Sequence, residues 1–268
     1  MISSLVYCLA DADGTIPQSS GYQLLAALSR FFTQRLSLNM FHSVSNRKKD
    51  FTISSLYPAA FWNNYFSASR DGYFPVCRDA MFAFRICFFD DATFNTFCAI
   101  ENARIELNHI PFDILRVMKP DKGLNRHSLP QDLQNEPTAR GAEFRFISPT
   151  GFATEKDIQY LFPDPERVFS NLYRRWEELF GRLPGEVDYD AFTPVNVRAY
   201  NLKSATATLK AGSYKRGFMG TVSYGWEKLD KERQRTLSIL SAFALYAGVG
   251  YKTSMGLGQV VTELKFAH

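Results

Sequence analysis

The chain has 268 residues, 46% of them hydrophobic and 22% charged, with 31 Lys and Arg against 27 Asp and Glu for a formal net charge of +4. Such a composition excludes a disordered chain and suits a soluble protein with the core of one large or two modest domains. The net charge is too small to attract a polyanion by itself, so any such partner has to be met by local clustering of cations.

Taken in order, residues 2–10 alternate weakly and predict a strand, and Ser20-Gly-Tyr-Gln23 reads as a capping box that opens a helix with Leu24, Leu28, Phe31 and Phe32 on one face. Residues 51–56 are a short β-prone run, and Phe82, Phe84, Ile86 and Phe88 alternate as a half-buried strand would. Asp91 is expected to cap a short helix carrying Phe94, Phe97 and Cys98, before β character returns over 104–117. The order is β-α-β-β-α-β.

A polar stretch over 120–141 has little apolar periodicity and reads as a connection. The second half then repeats the same order. Residues 144–148 predict a strand, and Asp164-Pro165 supplies an N-cap and a first-turn proline for a helix that buries Val168, Leu172, Trp176 and Leu179 and ends at Gly181. Residues 195–209 and 217–224 read as a long hairpin, 230–247 as a helix, and 259–266 as a closing strand. The expected fold is therefore α+β with two tandem ferredoxin-like domains, 1–119 and 143–268, joined by a connection over 120–142.

No segment has the apolar length needed to cross a bilayer, and no basic leader precedes the apolar start, so a cytoplasmic protein without a membrane partner is expected. Cys8, Cys77, Cys87 and Cys98 show no Cys-x-x-Cys spacing, lie in apolar runs and read as reduced core thiols; no metal site and no cofactor are expected. Asp11-Ala-Asp13 and Asp90-Asp91 are isolated acidic pairs in loop or cap positions, which fit turn chemistry better than the ligand set of a metal-dependent nuclease.

Between the last helix and the last strand lies GVGYKTSMGLGQV, with Gly248, Gly250, Gly256 and Gly258 around Lys252, Thr253 and Ser254. A Rossmann phosphate loop needs a strand before it and a helix after, and a Walker loop needs Gly directly before its Lys where this chain has Tyr251. Two readings remain: backbone amides and Lys252, Thr253 and Ser254 side chains offered to phosphate oxygens, or a tight turn that needs positive φ. The hairpin before it is basic. From Asn196 to Gly225 the chain carries Arg198, Lys203, Lys210, Lys215 and Arg216, with aromatic Tyr200, Tyr214, Phe218 and Tyr224 among them and no acidic residue. This is either an edge blunted against aggregation or a groove that tracks the backbone of a single-stranded nucleic acid.

The run FALYAGVGYKTSMGLGQV, preceded by KRGFMGTVSYGW, resembles the glycine-rich signature of the sixth Cas family, the CRISPR-associated endoribonuclease that trims precursor CRISPR RNA. FRFISPTGF at 144–152, LYRRW at 172–176 and FHSVSNRKKDFTISSL at 41–56 extend the resemblance over most of the chain. It implies tandem ferredoxin-like domains, binding of CRISPR repeat RNA, and cleavage without metal that leaves a cyclic phosphate and a free 5′ hydroxyl.

Metal-free cleavage needs a proton acceptor near neutral pKa and cations for the charge that grows on the phosphorane, which makes histidine the natural choice. His268 ends the chain, His127 lies in the polar connection and His109 in a strand-like apolar run. His42 follows the first helix and matches the position of the family's catalytic histidine. Lys48 is expected to stabilise the pentavalent phosphate, and Tyr22, in the first turn of the first helix, to orient the scissile one. Asp50 and Ser55 stand where relatives often carry proline. The RNA-binding set is then Lys203, Lys210, Lys215, Arg216, Gly248, Gly250, Lys252, Thr253, Ser254, Gly256 and Gly258. The alternative is a non-catalytic RNA-binding subunit of a CRISPR effector complex, which would have no need of His42. Association with effector subunits or with a second copy is left open.

Overall fold

The apolar run at the start forms β1 (Ile2–Ala10), and the first half of the fold is laid out around it. A computed structural model describes residues 1–38, 41, 50–65, 72–154, 159–183, 192–210 and 213–266, with the backbone alone for Asn64 and Lys210. The chain divides into two compact units. The first comprises Met1–His127, Ala207–Lys215 and Ser254–Leu257; the second comprises Ser128–Thr206, Arg216–Thr253 and Gly258–His268.

In the first unit β1 is followed by β2 (Gly14–Pro17), α1 (Gly21–Leu36), β3 (Phe51–Ile53), β4 (Tyr57–Pro58), α2 (Phe61–Asn64), β5 (Tyr73–Val76) and β6 (Met81–Phe88). Then come α3 (Asp91–Phe97), β7 (Arg104–Leu107), β8 (Ile110–Val117) and β9 (Arg126–His127). The main sheet runs β3-β6-β1-β8-β7 with antiparallel neighbours, while β4 joins β6 and β9 joins β1. Stripped of its short additions, β1, α1, β3, β6, α3 and β8 have the ferredoxin-like order expected from the sequence. Phe32 of α1 packs on Phe41 and Phe97, with ring centroids 5.6 and 5.9 Å away, and Phe41 meets Phe51 at 4.9 Å. Such ring pairs add about 0.5–1.5 kcal/mol each to the burial of their surface.

Several local expectations need correction, and among the cysteines only Cys8 and Cys87 are in the core, with Cys77, just past the end of β5, exposed and Cys98 half-buried. Ser20 sits at the N-cap of α1 but its side chain does not cap the helix; its Oγ instead accepts the Leu56 amide at 3.0 Å, so the capping box is not formed. Asp90 rather than Asp91 caps α3, accepting the Thr93 amide at 2.7 Å. Ala83, Arg85 and Cys87 of β6 are as buried as the phenylalanines between them, so both faces of this strand are covered. Alternation records which residues are apolar; it does not record that Trp62 of α2 reaches this strand, where its indole donates to the Ala83 carbonyl at 3.1 Å. The run over 104–117 is two strands, folded back at Asn108 and His109 with φ of 49° and 63°, a two-residue turn with both central residues left-handed. His109 therefore projects into solvent, with its side chain 96% exposed.

The second unit holds α4 (Pro130–Asn135), β10 (Gly141–Thr150), β11 (Phe152–Ala153), β12 (Gln159–Tyr160), α5 (Pro165–Phe180), β13 (Asn196–Lys210), β14 (Ser213–Gly225), α6 (Lys231–Ala247) and β15 (Val260–Lys265). The polar stretch over 120–141 thus contains β9 and α4. The sheet order β13-β14-β10-β15, with α5 and α6 between strands, is the ferredoxin-like arrangement a second time. Asp164 caps α5 through the Glu166 amide and Pro165 takes the first turn, as the sequence predicts. Leu179 is half-buried where burial was expected. Phe144 lies between Phe169 and Tyr224, at 5.8 and 5.3 Å, and the Tyr224 hydroxyl donates to the Pro163 carbonyl at 2.7 Å, tying the entry of α5 to the sheet.

Tyr57 is 4% exposed and stacks on Phe61 with ring centroids 4.0 Å apart. Burial pushes its phenol up to about 12, against the opposing pull of a Ser55 hydrogen bond and the Arg85 charge. A raised acid of this kind contributes stability that is complete below the unfolded value near pH 10 and disappears as pH rises through about 12, because the folded state holds a proton that the unfolded state has lost. Unfolding in urea at pH 9 and at pH 12 is expected to show wild type losing ~2 kcal/mol more than Tyr57→Phe over that interval. Equal losses in the two proteins would contradict this account of Tyr57.

Candidate nucleic-acid interface

α6 runs into the glycine-rich stretch, and its glycines turn the chain. Gly248, Gly250, Gly256 and Gly258 all have positive φ, at 65°, 84°, 90° and 64°, and Lys252 shares the left-handed region at 57°. At Gly250 an added Cβ would run into the Gly151 carbonyl oxygen, so both φ and space require glycine. The amides are largely committed inside the second unit. Gly248 donates to Ala244 O, Val249 to Gly258 O, Tyr251 to Gly151 O and Gly258 to Pro149 O, at 2.8–3.1 Å. Gly250 donates to Asn171 Oδ1 at 2.8 Å and Gln259 to Ser148 Oγ at 2.9 Å. The turn reading accounts for these glycines by geometry, and what the stretch offers to a ligand is concentrated on Lys252, Thr253 and Ser254. Lys252 is exposed and Thr253 and Ser254, in a short 3₁₀ turn, are half-buried.

Two residues absent from the sequence-based set hold this stretch to the basic strand. The Arg216 amide donates to Gln159 Oε1 at 3.0 Å, and the Tyr251 hydroxyl donates to the Arg216 carbonyl at 3.5 Å. Burial pushes the Tyr251 phenol up to about 12, with a Gln159 hydrogen bond pulling the other way, so it stays a donor at neutral pH. The backbone of Arg216 is fixed while its side chain stays exposed. Gln159 follows no motif, and Tyr251 was visible only as the residue that spoils a Walker loop.

The basic run is less one-sided than its own window suggests. Glu227, two residues beyond it, pairs with Arg198 at 2.5 Å, and this pairing helps hold the Glu227 carboxyl below its usual range, after a backbone hydrogen bond as the larger cause. Lys203 and Arg216 are exposed and Lys215 is half-buried.

In the first unit, Ser254–Leu257 packs on the start of α1. A Cβ on Gly21 would stand 2.7 Å from the Met255 carbonyl oxygen, and one on Gly256 would stand 2.8 Å from the Gly21 Cα. The Gly21 amide donates to Ser55 Oγ at 3.1 Å, and Ser19 Oγ accepts the Thr208 amide at 3.0 Å. Ser55, where relatives often have proline, therefore serves as the acceptor for the first amide of the helix. Tyr22, next to Gly21, is half-buried.

His42 and Lys48 lie outside the described residues, as do Lys210's side chain and His268. The flanks of that segment are described: Phe41 is 2% exposed in the aromatic core, and its ring lies against Phe51 at the start of β3. Of the other histidines, His109 stands on its solvent-facing turn and His127 contacts Asp91 at 3.2 Å. Among the described residues no group of three or more His, Cys, Asp or Glu side chains is placed to hold a metal ion.

Gly256→Ala tests the backbone packing directly. With positive φ and Gly21 in the way, it is expected to cost ~1–3 kcal/mol in urea unfolding, while Ser254→Ala, at a half-buried neighbour, costs under ~1 kcal/mol. Equal small losses would mean that this contact is not needed.

The family model for CRISPR-associated endoribonuclease Cas6 matches residues 144–260. Among solved structures, Thermus thermophilus Cas6 is 21% identical with a TM-score of 0.74, over 98% of this chain and 98% of that one. A Cas6 product complex is 21% identical with a TM-score of 0.76, over 98% and 100%. The product of a Cas6-related gene from Pyrococcus furiosus is 16% identical with a TM-score of 0.64, over 98% and 98%. A comparison with curated proteins finds no match. The likeness to the solved structures carries the fold, and the sequence pattern of residues 144–260 is similar to that of the Cas6 family.

Proposed function

We propose that the protein is a metal-independent endoribonuclease that binds CRISPR repeat RNA and cuts precursor crRNA. The observation that carries this reading is the position of the family pattern: 144–260 covers most of β10, the basic hairpin and the glycine-rich stretch, the segments that hold Arg216 and Lys252 in exposed positions. Lys203, Lys210, Lys215, Arg216 and Lys252 meet phosphates, with Thr253 and Ser254 as hydrogen-bonding groups; Gly248, Gly250, Gly256 and Gly258 shape the turn that presents them.

The chemistry assigned to His42 is removal of the proton from a ribose 2′ hydroxyl. The 2′ oxygen forms a bond to the adjacent phosphorus, the bond from phosphorus to the 5′ oxygen breaks, and that oxygen gains a proton as it leaves. The products are a 2′,3′-cyclic phosphate and a 5′ hydroxyl, with no net change in protons. Lys48 meets the negative charge that grows on the phosphorane, and Tyr22 orients the scissile phosphate. The domain that carries this catalytic set is 1–119, and the domain that carries the glycine-rich stretch is 143–268.

Cutting and binding separate in this scheme. With repeat RNA in EDTA and product ends mapped, His42→Ala is expected to slow cleavage ~100- to 10,000-fold with binding near wild type. Arg216→Ala is expected to weaken binding and to flatten the salt dependence by ~0.7 in log slope for the lost phosphate contact. Wild-type protein that binds the repeat and leaves it intact would identify a non-catalytic RNA-binding subunit, and cleavage abolished by EDTA would identify a metal-dependent nuclease.

A further inference from the structure

Tyr200, on β13, is 63% exposed, and Phe162, in the turn that leads into α5, is 36% exposed. Their rings meet edge to face with centroids 5.8 Å apart. The turn that carries Phe162 is fixed from below, since the next residue, Pro163, gives its carbonyl to the buried Tyr224 hydroxyl. The nearby Tyr160 ring already has a partner: the Arg167 guanidinium lies 4.2 Å from its centroid. Tyr200 and Phe162 instead turn aromatic surface to water at a fixed place on the second unit, beside a core that Phe144, Phe169 and Tyr224 fill.

The neighbouring charge selects the occupant. β13 is the edge strand of its sheet, and the run from Asn196 to Gly225 contains no Asp or Glu. An edge that carries the exposed Lys203 resists pairing with another protein strand. A flat, uncharged heterocycle carried on a polyanion suits it, because cations attract the backbone while an aromatic face takes the base, whatever its identity.

We infer that Tyr200 and Phe162 form a stacking site for an unpaired nucleobase of bound RNA, separate from the residues that meet phosphates. The inference rests on the RNA-binding reading above and adds to it a contact that depends on bases rather than charge.

The test compares a short labelled oligoadenylate with an abasic ribose–phosphate oligomer of equal length, both titrated by fluorescence anisotropy. Tyr200→Leu is expected to weaken oligoadenylate binding ~5- to 100-fold, Phe162→Leu to act in the same direction, and Tyr200→Phe and Tyr200→Trp to stay within ~3-fold of wild type. The abasic oligomer should bind wild type and Tyr200→Leu alike, with the same salt slope for each. The aromatic variants keep the test decisive should Tyr200→Leu fold poorly. Oligoadenylate bound equally by wild type and Tyr200→Leu, or the abasic oligomer weakened as much as oligoadenylate, would overturn the stacking site alone. A Tyr200→Leu variant that binds oligoadenylate normally but changes its sedimentation mass would assign the pair to a second copy of the chain instead. Wild-type protein that binds neither oligomer overturns the RNA-binding reading itself.

Discussion

Backbone packed on backbone is the constraint on which the rest of the site depends. Gly256 lies so close to Gly21 that neither can carry a Cβ in place, and the same contact seats Ser254–Leu257 on the start of α1. At Gly250 the crowding partner is the Gly151 carbonyl, and its amide goes to Asn171. A glycine-rich stretch is usually read as an offer of free amides to phosphate. Here six amides of the stretch and its flank are bonded within the protein, so the glycines act by letting the chain fold tightly on itself. What the stretch turns outward is the exposed Lys252 side chain and the half-buried Thr253 and Ser254.

That division explains the roles of Tyr251 and Gln159. Both hold Arg216 by its backbone, one at the carbonyl and one at the amide, and leave the guanidinium exposed. A cation whose backbone is fixed loses less freedom when it meets a phosphate than one on a loose loop does. The Arg198–Glu227 pair shows the opposite case, a cation whose charge is already answered inside the chain.

Much of the fold is legible in the sequence because it rests on local signals. Asp164-Pro165 starts α5, alternating phenylalanines mark β6, and two rounds of β-α-β-β-α-β order specify the ferredoxin-like arrangement without any repeat of residues. What was not legible depends on contacts between distant parts of the chain. Ser20 has the chemistry of an N-cap, yet its hydroxyl is claimed by Leu56. Arg85 looks like the wet face of a strand and is buried, on a strand whose Ala83 carbonyl takes the Trp62 indole and whose Arg85 amide goes to Ser54 Oγ. Gln159 belongs to no motif, and only folding brings it to Arg216. The glycines were legible as turn residues, but whether their amides face a ligand or the protein is decided by partners such as Asn171 and Ser148. Tyr22 is placed on its helix as expected, while His42 and Lys48 are carried by resemblance alone.

The account joins a binding surface made of positioned cations to a chemical step that uses the substrate's own ribose as nucleophile. The second part is tested most directly with a repeat RNA carrying a single deoxyribose immediately 5′ of the scissile phosphate. The account predicts that this RNA binds as the natural one does and is not cut at that phosphate. Cleavage there at an undiminished rate would contradict it, because the attacking oxygen would then have to come from water.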